Sequence, residues 1–223
     1  MMAGFATRHS IHDDARRQRI ADVVRQIEAD GVRTVRLGFA DQHGLIRGKS
    51  FAADQIGSLF EDGMTAPSSL LLKDLAHRTV LPVWSGESTG LAGMAGIGDI
   101  LLIPDPDRFH ILPWLEDTAW IQADIFHTDG SPSPLDTRGI ARRANAGLVE
   151  AGLQFHAGLE IEAHVYRLAD GPLNASDIGQ PGTPPEVEIL NRGYQLLTEH
   201  YADTLEPVMT LIHETCDSLG IPI

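Results

Sequence analysis

Apolar residues occupy every second position from Phe155 to Val165, and this alternation constrains the fold more than any other feature of the chain. The side chains of a β-strand point alternately to its two faces, so the pattern predicts a strand over 154–168 with one continuous apolar face. The opposite face carries Glu160 and Glu162. In a strand, residues two positions apart lie about 7 Å from each other, so the two carboxylates would be neighbours.

The spacing alone leaves two interpretations of this acidic pair open. Oxygen ligands suit Mg²⁺ or Mn²⁺, and two carboxylates on one strand face could each hold one ion of a two-metal phosphoryl-transfer site. The alternative is the solvated face of an amphipathic strand, which composition alone favours. His156 and His164 share the acidic face: one interpretation is that they orient the metal ligands, and the other, which is the default, is that they are surface or core-edge residues.

The charge balance excludes whole classes of partner. The 223 residues include 17 Lys and Arg against 31 Asp and Glu, which gives a formal charge of −14. Binding to nucleic acids or to anionic membranes needs a basic surface, so neither partner is expected. A single cysteine, Cys216, indicates a reducing compartment, and the sequence contains no apolar run of about 18 residues. We therefore predict a cytoplasmic protein.

The remaining sequence indicates an α+β fold. Helical spacing follows the capping residue Asp13, and a second helix is predicted after Asp136. Segments in which apolar and polar residues alternate predict strands, and the glycine-rich segment from Gly86 to Gly98 is typical of a mobile loop. The predicted elements are a disordered tail over 1–14, a helix ending at Gly31, a hairpin over 35–51, a short helix over 53–61, two strands joined by a Pro-Asp-Pro turn within 100–114, a strand over 119–126, and helices over 136–151 and 203–219.

Five segments, taken in order, resemble the N-terminal half of the glutamine synthetase family, and within it the γ-glutamyl-polyamine synthetase-like branch. Each segment alone would be weak evidence, but their joint order is specific. They are VRLGFADQHGLIRGKSF (35–51), GDILLIPD (98–105), ADIFHTDGSPSPLDTRGIARR (123–143), GLEIEAHVY (158–166) and GYQLLTEHYADTLEPVMTLIHETCDSLGIP (193–222).

The resemblance implies a β-grasp-like N-terminal domain over 15–115. An incomplete catalytic α/β barrel-like domain would follow over 116–223. It also implies a ligase that uses ATP and Mg²⁺ or Mn²⁺ to join the γ-carboxylate of glutamate to ammonia or a small amine through a γ-glutamyl phosphate. Glu160 and Glu162 would then be metal ligands, consistent with a role in nitrogen metabolism and glutamine biosynthesis.

The same resemblance implies a homo-oligomer when the protein is full length, with each catalytic site between subunits. Asp74 lies in the segment where the family places a loop that covers the neighbouring site. We take Asp74 as the candidate for the catalytic aspartate on the ammonium side, against the alternative of an ordinary exposed turn residue.

The family's later motifs, which hold further metal ligands and the ATP-binding residues, do not occur in these 223 residues. Two hypotheses of different classes therefore stand. The chain is either the N-terminal part of a glutamate–amine ligase, inactive in isolation, or a truncated, non-catalytic interaction or assembly module.

Overall fold

The computed structural model describes residues 3–83, 90, 98–169, 171, 175–179, 181–191 and 198–223. Contacts divide the chain into two compact units, Met1–Phe155 and His156–Ile223. The expected domain boundary near residue 115 falls inside the first unit, and the assignment of domains to 15–115 and 116–223 stays a prediction. Most of the expected glycine-rich loop over 86–98 lies outside the described residues.

A five-stranded mixed sheet forms the centre of the first unit. Its strands are β1 (Thr34–Ala40), β2 (Ile46–Ala52), β3 (Met64–Pro67), β4 (Asp99–Ile111) and β5 (Thr118–His127). They lie in the order β2-β1-β5-β4-β3. The β1–β5 pair is parallel and the other pairs are antiparallel, so the predicted hairpin is confirmed as β1 and β2.

Four α-helices accompany the sheet among the described residues of the first unit. They are α1 (Phe5–Arg8), α2 (Asp14–Ala29), α3 (Ile56–Asp62) and α4 (Thr137–Glu150), and short 3₁₀ turns cover Ala53–Gln55 and Ser68–Leu72. The Asp13 carboxylate accepts a hydrogen bond from the Arg16 amide at 2.7 Å, which satisfies one of the free amides at the start of α2. The helices predicted from capping and periodicity are confirmed, and the class is α+β.

The core lies between one face of the sheet and helices α2 and α3. Val35, Leu37 and Phe39 alternate along β1 and are at most 2% exposed. They pack with residues of α2 and α3 such as Ile27 and Phe60. The apolar face of β1, formed by every second residue, therefore packs against the apolar face of α2, formed by residues at helical spacing.

Residues 1–14 do not form the disordered tail that we expected, over the part that the structure describes. Phe5, in α1, is 4% exposed and packs with Leu101 and Ile103 of β4 in a second, smaller apolar cluster. The Phe5 amide also donates to Asp62 at 3.4 Å. These partners lie far away in the sequence, so the pattern of the first ten residues alone could not predict that this segment is ordered.

The Pro-Asp-Pro segment also differs from expectation. Instead of a turn between two strands, β4 runs continuously through it, with a shift of register against β5 between Pro104 and Phe109. Proline has no backbone amide to donate and is tolerated in strands at such irregular positions. The strand predicted over 119–126 is confirmed as β5.

The second unit contains β6 (Tyr166–Leu168), β7 (Val187–Ile189) and α5 (Ala202–Ser218), with 3₁₀ turns at Ala175–Asp177 and Glu199–Tyr201. β6 and β7 form a two-stranded antiparallel sheet. The final helix is confirmed as α5, which contains Pro207. Of the helices in the described part of the chain, none combines the length and the apolar character needed to cross a membrane.

The prediction of one strand over 154–168 is wrong for most of its length. Only Tyr166–Leu168 is a strand, and residues 154–165 have no regular structure. Leu159 and Ile161, on the expected apolar face, are 87% and 77% exposed. A strand is held by backbone hydrogen bonds to a neighbour, and no described segment pairs with residues 154–165, so alternation alone did not produce one.

Candidate functional site

The turn between β1 and β2 is organised by one buried carboxylate. Asp41 is 1% exposed, and its Oδ1 accepts hydrogen bonds from the backbone amides of His43 and Leu45 at 2.9 and 3.0 Å. Its Oδ2 accepts from Arg47 Nε at 2.7 Å. Burial raises the pKa of Asp41, but the His43 amide and the Arg47 guanidinium outweigh burial and hold the pKa below its ordinary value.

This turn contacts the loop that contains Asp74. The His43 Nε2 group donates to the Lys73 carbonyl at 2.8 Å, and Lys73 forms an isolated antiparallel bridge with Thr79. The Lys73 ammonium also donates to the Thr79 hydroxyl at 2.8 Å. Residues 73–79 are therefore closed into a small loop that is held against the hairpin turn.

Asp74 uses its carboxylate inside that loop. Oδ1 accepts from the amides of Ala76 and Arg78 at 2.9 Å each, and Oδ2 accepts from Arg78 Nε at 2.9 Å. The Arg78 amide, followed by the Arg78 side chain, lowers the pKa of Asp74. This geometry is that of a carboxylate that shapes a turn, and the catalytic assignment of Asp74 stays a prediction.

The structure does not bring the predicted metal ligands into a site. Glu160 and Glu162 are exposed and lie in the segment without regular structure, so the shared strand face is absent. Across the residues that the structure describes, no group of three or more His, Cys, Asp or Glu side chains is arranged to hold a metal ion. Carboxylate oxygens suit Mg²⁺ or Mn²⁺, but two donors supply only part of the roughly six that these ions take, so the described residues do not form a complete metal site.

A group of buried and partly buried charged residues in the first unit was not predicted from the sequence. Asp105 of β4 and Asp124 of β5, each with a side chain 6% exposed, face three arginines from α2 and α4. Arg138 contacts both carboxylates: its Nη2 donates to Asp105 and its Nη1 to Asp124 at 2.5 Å. Arg142 donates twice to Asp124, at 2.8 and 3.2 Å.

Arg16 completes this charge cluster, which we define as Arg16, Asp105, Asp124, Arg138 and Arg142. Its Nη2 donates to the Pro104 carbonyl at 3.1 Å and lies 3.6 Å from Asp124. Burial raises the pKa of Asp105, but the hydrogen bond and charge of Arg138 outweigh burial, so the pKa lies below its ordinary value. The hydrogen bond from Arg142 to Asp124 raises the pKa of Arg142.

The charge cluster joins two helices to two strands of the first unit. Because its partners pair with one another, it leaves no carboxylate free for acid–base chemistry, and its geometry is that of a structural anchor. The one signal in the sequence was the spacing of Arg138 and Arg142, which places both on one face of α4. Asp136, just before α4, is 6% exposed, and burial raises its pKa.

No protein-family model matches the chain. Comparison with curated proteins does find relatives. The chain is 29% identical to a γ-glutamylanilide synthase of Acinetobacter sp. over 226 aligned residues, covering 98% of this chain and 45% of that protein. It is 33% identical to a glutamate–isopropylamine ligase of Pseudomonas sp., over 62% of this chain and 29% of that protein.

A glutamine synthetase of Mycolicibacterium smegmatis is 29% identical over 74% of this chain and 32% of its own length. Among solved structures, apo GmaS without ligand matches with a TM-score of 0.56 and 18% identity, covering 88% of this chain and 39% of that one. At that identity the match shows similarity of fold. The chain is therefore similar to proteins named γ-glutamylanilide synthase, glutamate–isopropylamine ligase and glutamine synthetase, and it spans less than half the length of each of these three relatives.

Proposed function

We propose that the chain is part of an ATP-dependent ligase that joins the γ-carboxylate of glutamate to ammonia or a small amine through a γ-glutamyl phosphate. The observation that carries this proposal is the similarity to the γ-glutamylanilide synthase over 98% of the chain. The names of the three relatives share glutamate or a glutamyl product and differ in the amine, which supports a small amine as the variable substrate.

We assign Glu160 and Glu162 to this activity as ligands of Mg²⁺ or Mn²⁺. Both carboxylates are exposed and have no partner among the described hydrogen bonds and ion pairs, so they are available to a metal ion. The further donors that a complete site needs must come from residues outside the described part of this chain or from another chain. A divalent ion in such ligases neutralises charge on the phosphoryl group during transfer.

The finer structural expectations belong to the same proposal. The mixed sheet with its central parallel pair and covering helix supports a β-grasp-like N-terminal domain, and residues that follow would begin a catalytic barrel-like domain. The ligase would be a cytoplasmic homo-oligomer. Asp74 would lie on the ammonium side of a neighbouring site, held in shape by Arg78.

A chimera tests the proposal directly. Residues 1–223 would replace the matching segment of the γ-glutamylanilide synthase, and phosphate release from ATP would be measured with glutamate and a panel of ammonia, isopropylamine and aniline. We expect glutamate-dependent release with at least one amine. Glu160→Gln and Glu162→Gln should each abolish it, whereas Glu214→Gln, an exposed change on α5, should leave it unaltered.

Two results would oppose the proposal. A folded chimera that releases no phosphate with any amine would refute the ligase assignment, and normal release by both glutamine variants would refute the metal-ligand assignment. The competing hypothesis of a non-catalytic assembly module predicts no turnover by the chain alone. Steady turnover by the purified 223-residue chain would reject that hypothesis.

A further inference from the structure

One face of the sheet carries a continuous row of polar and aromatic side chains across four strands. Arg36 of β1 lies opposite Ser50 of β2 on one side and opposite Trp120 of β5 on the other. Trp120 in turn lies opposite His110 of β4. The Trp120 and His110 rings are stacked, with centroids 6.5 Å apart and an interplanar angle of 26°.

Beside this row, the sheet has two glycines where side chains would otherwise stand. Gly38 and Gly48 are directly opposite each other in the β1–β2 pair. A Cβ atom at Gly38 would lie 2.6 Å from Trp120 Nε1, so the indole passes close over this glycine. The result is a groove of about 400 Å³ that is lined by residues of β1 and β2 and by Trp120.

The lining of the groove contains one cation, Arg36, whose side chain has no partner among the described residues, and it contains no acidic residue. The Arg36 side chain is exposed, and it takes part in none of the side-chain hydrogen bonds or ion pairs found among the described residues. The other two cations of the lining are engaged, Arg47 by Asp41 and Lys49 by the Thr65 carbonyl. The lining itself contains no acidic residue, although the whole chain carries a charge of −14.

We propose that this groove binds a small planar aromatic carboxylate. The Arg36 guanidinium would receive the carboxylate through two parallel hydrogen bonds, which suit the fork geometry of arginine. The ligand ring would lie against Trp120, where aromatic pairs are favoured at centroid distances of about 4.5–7 Å. A volume of about 400 Å³ is within the range of small-molecule pockets. The proposal does not depend on the ligase assignment.

The test is a titration of the isotope-labelled 223-residue chain with 1-naphthylacetate, followed by ¹H–¹⁵N NMR. We expect saturable shifts of the Gly38 and Gly48 amide signals. The matched neutral compound 1-naphthylacetamide and the non-aromatic hexanoate should each bind about tenfold or more weakly, because each lacks one of the two contacts. Inorganic phosphate should not displace the bound naphthylacetate at equal concentration.

Variants identify the residue that is responsible. Arg36→Gln should weaken naphthylacetate binding about tenfold. Ser50→Glu should block binding, because the new carboxylate would form an ion pair with the Arg36 guanidinium in place of the ligand. Arg33→Gln removes an exposed arginine outside the groove and serves as the matched control. Shifts that do not saturate, equal binding by the neutral amide, or unchanged binding by folded Arg36→Gln would each overturn the proposal.

Discussion

Replacing Arg138 with methionine should destabilise the first unit, because this arginine is the main partner of a buried carboxylate. Without it, Asp105 retains only Arg16 and Arg142, whose nearest nitrogens lie 4.0 and 3.8 Å away, and the amide of Asp107 at 3.2 Å. All three contacts are longer than a normal charge-assisted hydrogen bond. Methionine keeps much of the length of the side chain, so the change isolates the lost charge.

The size of the loss follows from burial. Removing one partner of a fully buried ion pair typically costs about 3–5 kcal/mol, because the other charge is left uncompensated. The side chain of Arg138 is 20% exposed and two arginines remain nearby, so we expect about 2–3 kcal/mol. Arg19→Met is the matched control. Arg19 pairs with Asp107 at 2.6 Å, but both side chains are about half exposed, and such pairs contribute at most about 1 kcal/mol.

A double-mutant cycle separates the two carboxylates. Asp124 keeps two hydrogen bonds from Arg142 when Arg138 is lost, whereas Asp105 keeps only the Asp107 amide and no side-chain hydrogen bond. The coupling energy of Arg138→Met with Asp105→Asn should therefore exceed that with Asp124→Asn by at least about 1 kcal/mol. Because the pKa of Asp105 is lowered, its contribution should be present above its unfolded value near 3.8 and lost as pH falls through the folded value.

The assay is urea unfolding followed by tryptophan fluorescence. All three tryptophans lie before residue 156, so the signal comes from the first unit. A loss below about 1 kcal/mol for Arg138→Met, or a loss equal to that of Arg19→Met, would refute the argument that burial governs this cluster. Equal coupling to both carboxylates would refute the distinction between Asp105 and Asp124.

Two further predictions concern the core and the sheet. Burial lowers the pKa of His12, whose Nε2 donates to the Phe60 carbonyl at 2.9 Å, so the unfolded chain binds a proton first as pH falls. The contribution of His12 to the free energy of unfolding should be constant above about pH 6.5. Below that pH it should decline by at most about 1.4 kcal/mol per pH unit. Urea unfolding at several pH values should show this decline in the original chain and not in His12→Gln. A Cβ atom at Gly48 would lie 2.0 Å from the Leu37 carbonyl oxygen, so Gly48→Ala should lower the free energy of unfolding by about 1–3 kcal/mol. The control is Gly57→Ala, at a position in α3 with open space around the new Cβ, and this change should be neutral or stabilising. Thermal unfolding measures both.

The elements predicted well from the sequence are those with local signals. Asp13 caps α2, and Gly31 with its φ of +66° follows its end, so both boundaries can be read within a few residues. The turn of the hairpin contains a glycine with positive φ, Gly44, two residues before the second strand begins at Ile46. In each case the residues that determine the structure are neighbours in the chain.

The features that were missed depend on distant partners. Phe5 is buried by residues about a hundred positions later, and Arg16 meets Asp105 across a comparable separation. The alternation around Glu160 led to the opposite error, in which a strand was predicted and is absent over 154–165. An alternating segment forms a strand only where a neighbouring strand pairs with it. Local periodicity describes what a segment is able to do, and long-range pairing decides whether it does so.

The parallel pairing of β1 with β5 has a consequence for the order of folding. Thr34 and Thr118 are partners although about 80 residues separate them, and β5 also supplies the edge on which β4 assembles. Contacts of such high sequence separation are slow to form, because a long loop must close before any pairing energy is gained. In a nascent chain that has emerged only as far as residue 117, we therefore expect β1 and β2 to form a hairpin that is not yet joined to β4. The sheet is completed only after the residues up to His127 have been synthesised.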